Sequence, residues 1–382
     1  MKPLVICIVA ACLMAGVSVV RSADEATAPN VEYAEMAPLA PRSLLLDAAM
    51  AGARMVIVGE RGHVLLSDDQ GKQWRQSRVP TRATLTGVFF LNAQLGWAVG
   101  HDEVILRSED GGETWTRTHF APQKQQPLLD VWFADADNGF AFGAYGTILA
   151  SHDGGRTWAE QIFEPKERED KQASGLRPQA SGKGQEKEAS GVGPQAEEQA
   201  SGLGPQDSGE ERAKKNEDEY DVEESASDAH LNAVSQAADG KLYLAAEAGH
   251  LFRSDDGGAS WLELPSPYEG SFFGVLPLDA QSLLAYGLRG HLYRSDDAGL
   301  SWHQLSVDSR AMLTNALRLD ANTIVVTGLA GTLLLSRDGG QSFQLLAQED
   351  RKGIAAALAA GNNLVTAGEA GIKTIVLPGA AP

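Results

Sequence analysis

The sequence predicts an all-β fold, a seven-bladed β-propeller with four antiparallel strands per blade. Three observations carry that prediction. A hairpin signature, SxDxGxxW, recurs six times; a glycine-bearing step recurs seven times; and successive signatures lie close to 41 residues apart wherever no extra chain intervenes. A period near 41 with several short strands per unit marks a propeller blade.

The six signatures begin at Ser67, Ser108, Ser151, Ser254, Ser295 and Ser336, so the steps between them are 41, 43, 103, 41 and 41 residues. In each, Ser and Asp are suited to bonding backbone N–H groups in a tight turn, Gly supplies positive φ, and the aromatic ring packs between blades. The positions read as structural are Ser67, Asp69, Gly71 and Trp74; Ser108, Asp110, Gly112 and Trp115; Ser151, Asp153, Gly155 and Trp158; Ser254, Asp256, Gly258 and Trp261; Ser295, Asp297, Gly299 and Trp302; and Ser336, Asp338, Gly340 and Phe343, where Phe replaces Trp. The Asp spacing fails the EF-hand pattern, which needs a bidentate Glu at its twelfth position. No metal and no cofactor are expected.

Each unit opens on an apolar strand such as Leu85–Phe90, and its second strand ends in the glycine step. The step reads Gly59/Gly62, Gly143/Gly146, Gly287/Gly290, Gly328/Gly331 and Gly368/Gly371, with half-copies at Gly100 and Gly249; Glu103 and Ala246 take the missing places. Seven steps imply seven blades, one without a hairpin. After Gly371 a single strand, Lys373–Leu377, remains. Counting back 41 residues from Trp74 reaches Tyr33, so Val31–Met36 is expected to supply the outer strand of blade seven and close the ring, removing two sheet edges.

The predicted organisation is a signal peptide over residues 1–23, blades one to three with the closing strand over 24–162, an insertion over 163–228, blades four to seven over 229–378, and a tail over 379–382. In the leader, Lys2 precedes an apolar run, Leu4–Val20, and Ser22 and Ala23 suit cleavage. Val9–Cys12 resembles a lipobox, so a lipoprotein at Cys12 is the alternative. Export to the periplasm or an equivalent compartment is expected. Both cysteines, Cys7 and Cys12, lie in this leader, so thiol chemistry is not expected of the propeller. The insertion carries degenerate copies of a QASGLGPQ-like unit and an acidic run, Glu217–Glu224. With almost no apolar residues it is expected to be disordered. The formal net charge of −19 disfavours nucleic acid as a partner.

One pattern does not follow from the fold. Three residues before the leading residue of the first strand stand Arg42, Arg82, Arg310 and Arg351 in blades one, two, six and seven. Blades three, four and five have Gln125, Asp228 and Glu269. Blades six, seven, one and two are consecutive in a closed ring, so the arginines are expected to form an arc on one half of one face. Function on a rigid scaffold concentrates in such loops, and Arg suits bidentate capture of carboxylate. His63, His250 and His291 each follow the glycine step, in separate blades, and are not expected to meet at a metal.

Two runs, Gly87–Trp115 (GVFFLNAQLGWAVGHDEVILRSEDGGETW) and Asp130–Trp158 (DVWFADADNGFAFGAYGTILASHDGGRTW), resemble the repeat of the photosystem II stability/assembly-factor family. The resemblance covers about Val31–Leu377 without the insertion. It implies an exported seven-bladed propeller that acts as a chaperone-like partner in membrane-protein assembly, with no known catalysis and an arginine-rich patch. Arg42, Arg82, Arg310 and Arg351 are the candidates for that patch. The acidic insertion and the aromatic-poor later blades depart from phototroph members. They point to a bacterial relative, with a photosystem or another envelope membrane complex as client. The expected protein is a monomer, peripheral to the membrane, and not an enzyme. The competing readings are a sialidase-like glycoside hydrolase, for which no Arg-Ile-Pro stretch and no unrepeated carboxylate pair is found, and a propeller binding a small acidic ligand.

Overall fold

The computed structural model describes residues 31–167 and 226–378. They form seven antiparallel sheets, six of four strands and one of three. Blade one comprises Leu45–Ala51, Arg54–Gly59, Val64–Ser67 and Arg75–Gln76; blade two Leu85–Phe90, Gly96–Gly100, Val104–Ser108 and Thr116–His119. Blade three comprises Leu128–Phe133, Gly139–Gly143, Ile148–Ser151 and Ala159–Gln161; blade four Leu231–Gln236, Leu242–Ala246, Leu251–Ser254 and Leu262–Glu263. Blade five comprises Phe272–Pro277, Leu283–Gly287, Leu292–Ser295 and His303–Gln304; blade six Leu313–Arg318, Ile324–Gly328, Leu333–Ser336 and Gln344–Leu345. Blade seven has Ile354–Ala360, Asn363–Gly368 and Gly371–Val376. The seven-bladed ring is as the sequence predicts.

The second strand of every blade shows why the fold forms. Stretches such as Trp97-Ala98-Val99 and Ile324-Val325-Val326 are buried on both faces, without the in–out alternation of a one-sided sheet. Both faces are covered because each blade is packed between two neighbours. The core is accordingly not central. Seven apolar clusters sit one in each gap between blades. The gap between blades two and three holds Trp97 stacked on Phe133, with the Trp97 Nε1–H donating to the Gly154 carbonyl at 3.0 Å.

The ring closes through packing and not through an N-terminal strand, which corrects the expectation for Val31–Met36. Leu45, Met55, Ile57 and Leu65 of blade one pack on Leu358, Val365 and Ala367 of blade seven. The N-terminal segment instead crosses blade one. The Ala34 N–H donates to the Val79 carbonyl (2.9 Å), and Gln76 grips the segment through Ala37 N–H and the Glu35 carbonyl (both 2.8 Å). Blade seven keeps three strands. The counted period assigned the segment to blade seven, but bonds to Gln76, Val79 and Arg82 hold it on blade one.

A belt of side chains links successive blades around the channel. Asp47 Oδ2 accepts the Val88 N–H, and Asp130 Oδ2 accepts the Val234 N–H, each at 2.8 Å. Thr86 Oγ1 donates to the Leu128 carbonyl (2.6 Å), Asn232 Nδ2 to that of Phe272 (2.7 Å) and Thr314 Oγ1 to that of Ile354 (2.6 Å). At the matching positions blade seven offers Ala355 and Ala356, which can make no such bond to blade one.

The propeller reaches further into the predicted insertion than the sequence boundary suggests. Phe163 is buried against Phe252, and Lys166 exchanges backbone bonds with Trp261 and Glu263 of blade four. Residues 168–225, which hold the repeats and the acidic run, lie outside the described residues, as do the leader and the 379–382 tail. Among the described residues no helix is long and apolar enough to cross a membrane.

Candidate partner-binding face

The antiparallel order of strands sorts the turns onto two faces. Turns between strands one and two share a face with the SxDxGxxW turns. Turns between strands two and three, the glycine steps, share the other face with the loops that carry chain from one blade to the next.

The first face is occupied by self-contained hairpins. In blade two the Gly112 N–H donates to Ser108 Oγ (2.9 Å), Ser108 Oγ to Asp110 Oδ1 (2.9 Å), and the Thr114 N–H to Asp110 Oδ1 (2.9 Å). The same Ser–Asp contact is present in the other five copies, at Ser67–Asp69, Ser151–Asp153, Ser254–Asp256, Ser295–Asp297 and Ser336–Asp338. The Thr157 N–H and hydroxyl, each bonded to Asp153, hold that carboxyl down at about 2. Trp74, Trp115 and Trp158 donate Nε1–H to the carbonyl of their own turn glycine, Gly71, Gly112 and Gly155. Each turn also leans on the preceding blade: a Cβ on Gly71 would strike Val365, one on Gly258 Phe140, one on Gly299 Leu264 and one on Gly340 Leu284. The Ser and Asp groups of the motif are spent on its own turn.

The second face carries the arginines. Arg42, Arg82, Arg310 and Arg351 are all exposed; Arg82, Arg310 and Arg351 lie in inter-blade loops, and Arg42 in the N-terminal segment that enters blade one. The second glycine of the step seats these loops. Gly371 has φ +74°, and a Cβ there would stand 2.2 Å from the Pro41 carbonyl oxygen and 2.5 Å from Arg42 Cα. Gly290 and Gly331 meet Arg310 and Arg351 in the same way. In blade two, Glu103 fills this place at φ 48°. Its buried carboxylate is met by Lys124 Nζ (3.2 Å) and His119 Nε2 (3.1 Å).

Two further arginines join them that sequence alignment on the first strand overlooked. Arg61 and Arg289 occupy the third position of the step, in left-handed backbone (φ 57° and 59°), and are exposed beside Arg82 and Arg310. The signal was legible as the residue before the second glycine. Arg82 is engaged by Glu35 (3.3 Å), Glu32 (3.8 Å) and the Tyr33 carbonyl (3.1 Å). Arg42, Arg61, Arg289, Arg310 and Arg351 form no ion pair among the described residues. Arg289, Arg310, His291, Ser306 and Ser309 line an open cleft of about 550 Å³. There His291 Nδ1 meets the Tyr293 hydroxyl (3.0 Å) and its ring packs against Tyr268 (4.1 Å). Burial, and then the neighbouring Arg289 charge, push the His291 pKa down, so the arginines carry the cleft's positive charge at neutral pH. Gln125, Asp228 and Glu269 face solvent on the other half.

His63 and His250 bond within their own neighbourhoods, to Ser43 (2.9 Å) and Glu263 (3.1 Å), and do not converge. The channel corrects another expectation. An unrepeated carboxylate pair does exist there: Asp47 and Asp130 both line a cavity of about 280 Å³ together with Asn232, Asn315 and Tyr286. Burial, then the Asp130 charge, raise Asp47 to about 7; burial raises Asp130 to about 6. A repeat-based reading misses them because Gly87, Ala233 and Gly274 hold the same place in other blades.

Fold and turn chemistry together define the class: a seven-bladed β-propeller built on Asp-box repeats. Within that class the chain is similar to the photosystem II assembly factors. The family profile described as photosynthesis system II assembly factor YCF48 matches residues 66–126. YCF48 bound to a D1 peptide aligns with a TM-score of 0.61 at 16% identity, over 91% of this chain and 96% of that one. YCF48 from Cyanidioschyzon merolae gives the same score and identity, over 91% and 99%. The WD40 propeller of Doa1 aligns at 0.55 and 11% identity, over 90% and 95%. At such identities the likeness is one of fold. No curated protein sequence matches the chain.

Proposed function

We propose that this chain is an exported, non-catalytic scaffold that binds a subunit of a membrane-protein complex during assembly, with the arginine face as its contact surface. The observation that carries the reading is the row Arg289, Arg310, Arg351, Arg42 and Arg61: exposed, on consecutive blades, and without carboxylate partners among the described residues. Uncompensated guanidinium groups on a protein of net charge −19 are suited to acidic segments and carboxylates. The solved complex of YCF48 with a D1 peptide supports a membrane-protein subunit as the kind of client, whether of a photosystem or of another envelope complex. Asp47 and Asp130 are bound by main-chain amides of the following blades, a role that needs no catalysis.

The test is a crosslinking pull-down from native membranes, comparing wild type with an Arg42/Arg82/Arg310/Arg351→Glu variant of unchanged melting temperature. Recovery of a membrane protein by wild type and its loss from the variant supports the reading; equal recovery refutes it. The Arg289–His291–Arg310 cleft favours one second reading, a small acidic ligand. Arg289→Ala with Arg310→Ala would then abolish binding of a dicarboxylate such as malate, while Arg42→Glu would not.

A further inference from the structure

Blade seven lacks an outer strand, and its last strand, Gly371–Val376, is left as a free edge among the described residues. The corresponding strand is four or five residues long in the six complete blades and six residues here. The surface beside it is apolar. Val376 is 72% exposed, Leu39 66% and Met36 59%. Ile372 packs into the same cluster as Ala37 and Trp74, and the latter two line a groove of about 270 Å³ together with Met36, Pro38, Pro41, Leu65 and Gln76. Cationic side chains border the edge at both ends, and Lys373 within it is paired with Asp350. The start of the edge rests on Arg42, and Arg337 Nη2 donates to the Pro378 carbonyl (2.6 Å) just beyond its end.

An exposed strand edge with adjoining apolar surface is a template for one more strand. The described N-terminal segment does not fill it. From Ala37 back to Glu32 that segment runs away from blade seven, bonded to Gln76, Val79 and Arg82 of blade one. A second copy of this edge would oppose Lys373 and Arg42 to their own kind, which disfavours pairing. In the complete blades the outer strand is antiparallel to the third and leads up to the arginine loops. A strand added in that sense ends beside Arg42 and Arg351 and sets alternate side chains in the Met36–Trp74 groove.

We propose that the Gly371–Val376 edge receives an extended segment of the client as a fourth, antiparallel strand, with acidic residues at its C-terminal end. This rests on the arginine face being the contact surface and adds the backbone ladder that orients the client on it. The probe is a fluorescein-labelled synthetic peptide of alternating Thr and Val ending in three Glu, read by anisotropy on the full chain. Expected are saturable binding, a loss of about ten-fold or more when alternate peptide nitrogens are methylated, since several ladder bonds of about 1 kcal/mol each disappear, and a similar loss with Lys373→Glu. Moving the three Glu to the N-terminus should also weaken binding. Equal affinity for the methylated peptide, or no binding, overturns the proposal. So does slow hydrogen exchange throughout Ile372–Val376 in the peptide-free chain, which would mean its own residues cover the edge. If Arg42→Glu with Arg351→Glu abolishes binding while methylation has no effect, the contact surface stands and the strand addition falls.

Discussion

Replacing Asp47 by Asn should stabilise the protein at neutral and alkaline pH, with the gain shrinking as the pH falls through mild acid. Asp47 sits in the channel wall with its carboxyl raised from 3.8 to about 7, first by burial and then by the Asp130 charge. The folded state thus holds a proton that the unfolded chain releases near pH 4. Between those values the folded state binds more protons, so stability is greatest below about pH 4 and falls as pH rises through 7. A rise of this size corresponds to about 4 kcal/mol at 1.36 kcal/mol per pH unit. Both carboxylates are partly open to the channel, and solvent screening there brings the expected cost down to about 2–3 kcal/mol. Asp130, raised to about 6, adds a smaller decline completed at lower pH.

The amide introduced by Asp47→Asn would still accept the Val88 N–H and would carry no charge. Urea titrations followed by tryptophan fluorescence at pH 4.5, 6, 7 and 8.5 give the unfolding free energy of both proteins at constant slope. His63 and His291, whose pKa values burial lowers, act in the opposite sense below about pH 6.5, but they cancel in the difference between the two proteins. The Asp-box carboxyls, held low by turn hydrogen bonds, titrate below the window. Asp47→Asn should gain about 2–3 kcal/mol at pH 8.5 and less than about 1 kcal/mol at pH 4.5. Parallel pH profiles for the two proteins would refute the reasoning, because they would show that Asp47 ionises in the fold as readily as in water.

Three further outcomes follow from the same structure. Lys124→Ala removes a cation from buried Glu103 and leaves His119 Nε2 in contact with it; a loss of about 2–3 kcal/mol is expected, and a change under about 0.5 kcal/mol would show that the carboxylate is satisfied without Lys124. Ser254→Ala deletes the hydroxyl that joins Gly258 N–H to Asp256 in a buried turn; denaturant midpoints should report a loss of about 1–2 kcal/mol, with Ser260→Ala, an exposed member of the same turn, costing less. Deleting residues 30–37 removes the strap over blade one and the carboxylates on Arg82; it should lower the melting temperature while strengthening, at low salt, the binding of an acidic peptide to the arginine face. Unchanged peptide affinity would show that Arg82 lies outside the contact.

The number of blades, their order and the turn chemistry were determined by the sequence alone, because each repeat carries its own local code. Ser254, Asp256 and Gly258 satisfy one another within five residues, and a run such as Ile324-Val325-Val326 is apolar wherever it stands. The candidate arginines were legible for the same reason, as a fixed place in a period. What only the tertiary structure decided lies where repeats meet or break register. Val31–Met36 could be counted into blade seven, yet bonds to Gln76, Val79 and Arg82 draw the segment onto blade one and leave the Gly371–Val376 edge unpaired among the described residues. Arg61 and Arg289 reach the arginine face through a left-handed turn that brings the step beside the following loop. Asp47 and Asp130, about 80 residues apart in the chain, share a channel only when the ring has closed, and the raised pKa values that follow are a property of that enclosure and of no local stretch of chain.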